Sequence, residues 1–254
     1  MHPVDLGDGV RAFFTTGAGG VSPAPWATSD GGGLNLGLNV SDDVARVAVN
    51  RSLVAERLGV PVAFATQVHG DAVLELGAPE RALWAADLPP ASAGEGDALV
   101  TAERGLGLGV LVADCVPVLL ADPEARVVGV AHAGRKGVLA GVVLRALDAL
   151  VARGADPARV RAAVGPAVCG QCYEVPAAMR DEVAAVVPET FATTEAGTPG
   201  LDLPSGVVAQ LAARGVTATR VERCTLEDPE LFSHRRASAA GTTTGRQAGI
   251  IALI

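Results

Sequence analysis

Lysine is all but missing from this chain. Lys136 is the only one among 20 basic residues in a length of 254, and the rest are arginines. With so much alanine and glycine, that skew reads as the codon bias of a GC-rich genome. Positive charge is short overall: the net charge is -8 and the isoelectric point about 5.0. A nucleic-acid backbone or an anionic membrane needs a broad basic face, so neither is an expected partner. A local basic pocket for one small anion is still compatible with these numbers. Aromatic residues make up only 3%, so the core has to be built from Val, Leu and Ala. No apolar run reaches the roughly 18 residues of a membrane span. The start, MHPVDLGDGVRAFF, lacks the basic and apolar regions of a signal peptide. Four cysteines without a secretory signal read as thiols of a cytoplasmic protein, not as a disulfide framework.

Linkers, charge blocks and repeats of solenoid period are absent too, so residues 1–254 are expected to form a single domain. What is present is a chain 49% hydrophobic with a mean hydropathy of +0.35, enough for a sizeable core. The pattern predicts a strand over 10–16 and a long shaped loop over 17–39. A helix over 43–58 follows, capped by Ser41 or Asp42 and stopped by Gly59. Strands come at 62–68 and 71–76, a loop at 77–96, then strands from Asp97 and at 110–113, 116–121 and 127–131. One helix is expected from Lys136 to Ala152. After a strand at 160–164 come a Gly-Pro loop, a helix over 176–187 and a loop over 188–203. A short helix ending by Gly215, a strand at 219–224, an irregular polar segment over 225–247 and a terminal strand complete the chain. His2 is expected in a disordered terminus. Strands and helices mix without βαβ alternation, which makes the fold class mixed α/β.

The residues able to do chemistry concentrate in Gly105–Leu150. Cys115 follows the first of three apolar runs there and His132 follows the third, while His69 lies upstream in AlaThrGlnValHisGlyAsp. Cysteine with histidine supports a thiolate nucleophile and its imidazole base. It equally supports a metal held by two His and one Cys, with a fourth position open to water or substrate. Intervals of 46 and 17 residues match no contiguous zinc motif, so spacing leaves the choice open. The plainer alternatives are a solvated histidine and an inert buried cysteine. Beyond His132, Arg135 and Lys136 open a helix whose free N–H groups favour an anion; the alternative is two solvent-facing cations. Asp114 either orients a histidine, bonds a substrate hydroxyl or caps a turn. Cys169-Gly-Gln-Cys172 alone is a weak signal. Structural zinc would need a second pair of ligands, and apart from Cys115 the only further cysteine is Cys224, while a redox pair belongs at a helix start in a βαβ unit. A shaped loop near the site is the preferred reading. His234 reads as a surface residue.

Several segments in order carry a resemblance: AGGVS at 18–22, LNLG at 34–37, NR at 50–51, QVHG at 67–70 and GDALVT at 96–101. They continue with ADCVPVLLAD at 113–122, VAHAG at 130–134, GPAVCGQCYEV at 165–175, RCT at 223–225 and TTGRQA at 243–248. Together they resemble the YfiH-like family. Its members were long labelled multicopper polyphenol oxidoreductase or laccase-domain proteins and later assigned purine nucleoside phosphorylase activity. Each piece is weak alone, but the ordered set spans almost the whole chain and is specific. The resemblance implies an α+β fold of layered sheets flanked by helices, shared with a group of cysteine hydrolases. It puts a zinc site on His69, Cys115 and His132, as ligands and catalytic residues; Asn35, Asp114, Gly134, Arg135 and Lys136 are expected to bind the substrate.

The implied reaction is attack of phosphate on the anomeric carbon of a purine nucleoside such as adenosine or inosine, giving free base and ribose 1-phosphate. Adenosine deaminase and methylthioadenosine phosphorylase activities are implied alongside it, in a monomer or small homo-oligomer. The alternative is a cysteine hydrolase or amidase in peptidoglycan precursor editing, with Cys115 as nucleophile. Copper oxidation of phenols is disfavoured by residue count, because multicopper centres rest on many imidazoles and the chain has four histidines. The chain departs from the family pattern at Arg135-Lys136, where Trp-Arg is usual, and at Gly17, where Arg is usual. It departs again at His234, usually Tyr, and at Ala237, usually Asp. None of these removes a ligand; they bear on phosphate binding and substrate preference.

Overall fold

A computed structural model of the chain describes residues 1–27, 31–86 and 89–254. The parts of the expected loops at 28–30 and 87–88 lie outside the described residues. The chain runs through β1 (His2–Val4), β2 (Val10–Phe14), β3 (Ala18–Ser22), α1 (Val44–Leu58), β4 (Val62–Phe64), β5 (Val73–Leu76) and α2 (Ala78–Trp84). Then come β6 (Ala98–Thr101), β7 (Gly107–Val112), β8 (Val116–Asp122), β9 (Val127–Ala133), α3 (Arg135–Ala140), α4 (Val142–Ala152) and β10 (Arg161–Val164). The last third holds α5 (Ala177–Val186), β11 (Phe191–Thr193), β12 (Pro199–Leu201), α6 (Leu203–Ala212), β13 (Thr217–Arg220), α7 (His234–Ala239) and β14 (Gln247–Leu253).

A five-stranded sheet has the order β1-β2-β14-β7-β4 and a six-stranded sheet the order β13-β10-β8-β9-β6-β5. β8 shows why they stack. All seven of its residues are buried, which suits a near-continuous apolar run covered on both faces. Successive side chains point to opposite faces: Val116, Val118 and Leu120 enter one core, Leu119 and Ala121 another. The second of these cores lies between the sheets and joins Leu119, Val128 and Val130 to Phe14, Leu108 and Ile250. The first lies between the six-stranded sheet and its helices, where Val143, Leu147, Leu150, Val183, Val207 and Leu211 pack. The result is layered sheets flanked by helices, as the resemblance implied. The few aromatic rings settle against glycines: Phe64 fills the space a side chain at Gly109 would need, Phe14 that at Gly165 and Phe232 that at Gly245. No helix among the described residues is long and apolar enough to cross a membrane.

Several local expectations are corrected. The expected helix from Lys136 to Ala152 breaks at Gly141, which sits at φ +77. A left-handed residue cannot continue an α-helix, and only glycine adopts it without steric cost. At that break the Val138 carbonyl accepts from the Gly141 N–H at 3.2 Å and from the Gln210 side chain at 2.9 Å. The cap of α1 is Asp43, whose carboxylate accepts from the Ala45 N–H; Asp42 instead bonds Ser22 and Asn35. Helix α2 forms inside the expected loop 77–96, with Glu80 accepting from the Gly77 N–H. A hairpin of β11 and β12 occupies 188–203, β3 forms within 17–39, and α7 lies within 225–247. The expected strand at 219–224 ends at Arg220. His2 is ordered, paired with Phe14 across β1 and β2.

Candidate active site between the two sheets

The chain crosses from one sheet to the other at a corner, Ala113-Asp114-Cys115, between β7 and β8. Asp114 turns it with φ +91, a conformation that costs energy in any residue but glycine and collects at functional sites. Both carboxylate oxygens of Asp114 are engaged. The Thr225 hydroxyl donates to Oδ1 at 2.7 Å and the Arg235 backbone N–H to Oδ2 at 2.7 Å. The Val168 N–H holds the Asp114 carbonyl at 3.0 Å. Cys115 is thus fixed at the mouth of the gap between the sheets.

His69 stands on the segment after β4, also at positive φ, +61. Gln67 pins that segment to β7 through both ends of its amide, to the Leu111 carbonyl at 2.8 Å and from the Leu111 N–H at 2.7 Å. Beneath it lies Asp97, fully buried. Its carboxylate accepts the N–H groups of Val68 at 3.1 Å, His69 at 2.9 Å and Gly70 at 2.7 Å. It also meets Nδ1 of His132 at 2.8 Å. A carboxylate already fed by three N–H groups is ionised and accepts, so Nδ1 carries the proton and Nε2 is free to face the cluster. His132 belongs to β9, and its own N–H is bound by the Asp97 carbonyl at 2.7 Å.

These supports bring His69, Cys115 and His132 together: their ligand atoms lie within 4.8 Å of one another. The two rings meet edge to face with centroids 4.7 Å apart. Gly134 leaves the room for this. A Cβ there would stand 2.9 Å from Cδ2 of His69 and 3.1 Å from Sγ of Cys115. Burial alone would push the Cys115 thiol up, but hydrogen bonds and charge from His132 and His69 outweigh it and bring it down to about 6. Burial likewise opposes a charged His132, yet Asp97 and Cys115 raise it to about 9. Burial disfavours the charge of Asp97 as well; its bonds from His132 and Gly70 prevail and hold it below the usual carboxylate range. The arrangement suits either a metal or a thiolate nucleophile paired with imidazole.

The cluster opens into a cavity of about 680 Å³, within the range of small-molecule sites. Of the residues expected to bind substrate, Arg135, Lys136 and Asp114 line it, while Gly134 is not among the lining residues and lies against His69, Cys115 and His132. Asn35 does not line it. Its amide is buried and bonds Asp42, Gly37 and the N–H of Arg246, so it shapes the wall behind Arg246. His234 is exposed, as read, but also lines the cavity. Sequence reasoning missed Asp97, and it missed Arg51, Arg235, Arg246 and Tyr173 as lining residues. A lone acid directly before the apolar run Ala-Leu-Val was the available signal for Asp97. Arg51 and Arg246 stand in the NR and TTGRQA segments, which carry the family resemblance and no chemical pattern of their own.

The family described as multi-copper polyphenol oxidoreductase laccase matches residues 11–254. A Streptomyces griseus protein named purine nucleoside phosphorylase is 52% identical over 242 residues, covering 94% of this chain and 92% of that protein. A Geobacillus stearothermophilus protein of the same name, YlmD, is 35% identical, covering 96% and 90%. Among solved structures, YfiH of Bacillus licheniformis superposes with a TM-score of 0.82 at 33% identity, covering 96% of this chain and 93% of that one. YlmD superposes with a TM-score of 0.83 at 34% identity, covering 97% and 92%. By sequence across nearly its whole length and by fold, the chain belongs to the YfiH-like, laccase-domain family.

Proposed function

We propose that this chain is a purine nucleoside phosphorylase, releasing base and ribose 1-phosphate from adenosine or inosine. The observation that carries this reading is the charge of the cavity. Arg51, Arg135, Lys136, Arg235 and Arg246 line it against one carboxylate, Asp114, in a chain of net charge -8. Among the described residues none of the five cations enters an ion pair. Burial pulls Arg51 down to about 10 and lowers Arg246 as well, the mark of guanidinium groups short of counter-charge. A phosphate dianion supplies it. The short helix α3 contributes Arg135 and Lys136 more than it contributes a dipole. Relatives carrying the purine nucleoside phosphorylase name support the same assignment.

In this reading a phosphate oxygen forms a bond to C1′ as the C1′–N9 bond breaks, and its electron pair leaves with the purine. The cavity cations bind the phosphate and hold it in line. Tyr173, Val168 and Leu203 offer the purine an apolar wall. His234, at the cavity mouth and outside the cluster, is the imidazole available to give the departing base its proton. Asp97 keeps His132 in one tautomer and one orientation. His69, Cys115 and His132 fit zinc: two nitrogens and a sulfur converge, Asp97 backs one histidine, and the space at Gly134 is kept clear. Zinc there would supply Lewis-acid polarisation and a bound water of lowered pKa. Copper chemistry is not favoured, since only two of the four imidazoles meet in the cluster. Because both sheets supply site residues, 1–254 is taken as one functional unit.

One observation favours a second reading. A Cys115 thiol near 6 beside a raised His132 is the pairing that activates a cysteine hydrolase, the class proposed for peptidoglycan precursor editing. The discriminating experiment incubates the protein with adenosine, inosine and methylthioadenosine, with and without phosphate. Base appearing only with phosphate supports the phosphorylase; inosine formed from adenosine adds deamination. Phosphate-independent turnover with a covalent adduct on Cys115 would replace it with the hydrolase.

A further inference from the structure

Three of the four cysteines take no part in the cavity cluster, and they meet one another. Cys169 and Cys172 lie on the loop after β10, and Cys224 lies just beyond β13, the strand paired in parallel with β10. The two loops continue side by side: Ala167 bridges Cys224, and the Thr225 N–H donates to the Ala167 carbonyl at 3.1 Å. Sγ of each cysteine and a carboxylate oxygen of Glu227 lie within 4.8 Å of one another. All three cysteines are free and half-buried, and Glu227 is exposed.

We propose that Cys169, Cys172, Cys224 and Glu227 form a second, structural site for a zinc-class divalent cation. The donor set is the first reason. Three thiolates and one carboxylate make a closed tetrahedral site for a soft, four-coordinate ion. Ligands about 2.3 Å from a tetrahedral centre lie about 3.8 Å apart, so a group spread over at most 4.8 Å closes by small side-chain adjustment. The backbone is the second. The N–H groups of Cys172 and Tyr173 both donate to the Cys169 carbonyl, at 3.0 and 2.9 Å, folding CGQC into a tight turn that turns both sulfurs the same way.

A redox pair would use Cys169 and Cys172 alone and leave Cys224 and Glu227 converging on nothing.

The ion would staple two loops that shape the cavity. One carries Tyr173, and through Val168 it holds the Asp114 carbonyl; the other carries Thr225, bonded to the Asp114 carboxylate. The site does not depend on the phosphorylase reading.

The test uses the full chain with Cys115→Ala, so that every remaining thiolate belongs to this group. After chelation it is titrated with cobalt(II), followed by thiolate-to-cobalt charge-transfer absorption, and zinc is measured in the protein as purified. The expected result is saturation at one equivalent, loss of the band on adding Cys224→Ala, and one zinc per chain before chelation. Glu227→Gln, at an exposed position, is expected to weaken cobalt binding at least about tenfold with an unchanged far-ultraviolet spectrum. The proposal is overturned by no charge-transfer band in Cys115→Ala, by a band that survives Cys224→Ala, by unaltered affinity in Glu227→Gln, or by a Cys169–Cys172 disulfide in the purified chain.

Discussion

Gly134 holds the centre of the cavity cluster open, and its value lies in having no side chain. Its backbone, at φ -76 and ψ 172, accepts alanine, yet the added methyl would press on His69 and Cys115. Gly134→Ala is therefore expected to keep its thermal unfolding curve while turnover and the metal affinity of the cavity cluster fall about tenfold or more. Wild-type activity in a folded variant would show that the cluster is not where the reaction happens. Asp97 makes the complementary case. Asp97→Asn keeps the volume but loses the charge that four donors share, and activity or zinc affinity should drop about 10–100-fold, measured as kcat/KM and by metal titration. His69, Cys115 and His132 were legible because their side chains carry chemistry wherever they stand. Asp97 was not, since its meaning comes from partners 28 and 35 positions away. Arg246 was hidden for the same reason, held as it is by Asn35 across 211 positions.

Helix α3 and helix α4 make one run of apolar periodicity, and no periodicity records the change of direction at Gly141. The break lets α4 pack on β9 and β6 while α3 points Arg135 and Lys136 into the cavity. Gly141→Ala meets no atom closer than 3.7 Å, so its cost is conformational, about 1–2 kcal/mol, readable by urea denaturation. A neutral or stabilising result would mean the two helices can run as one. Short elements were the least legible. β11 and β12 have three residues each, too few to show alternation, and they exist because they pair with each other. Helix α2 was obscured by the Gly, Pro and Ala around it. The long buried strands β8, β9 and β14 were readable because a run covered on both faces must be apolar throughout.

Across the whole molecule, Asp122 ties the end of β8 to the segment after α4. It accepts from the N–H groups of Glu124 and Ala125, each at 3.0 Å, of Asp156 at 2.9 Å, and from Arg159 at 3.0 Å. Burial opposes its charge, but these donors hold it below the ordinary 3.8. A carboxylate lowered on folding stabilises the fold above its unfolded value and loses that contribution as pH falls through its folded one. Asp122→Asn should thus cost about 1–3 kcal/mol at neutral pH, and the gap from wild type should close as pH drops below 3.8. A gap constant with pH would deny the carboxylate that role.

The charge of the cavity is the larger point at this scale. A chain of net -8 gathers five cations around one carboxylate beside a Cys-His cluster, and the account turns on phosphate being what they bind. Phosphorus NMR of the protein with inosine and inorganic phosphate measures this directly. The account predicts a ribose 1-phosphate resonance growing mole for mole with free hypoxanthine, and abolished in Cys115→Ala. Hypoxanthine released while the phosphate signal stays whole would contradict it.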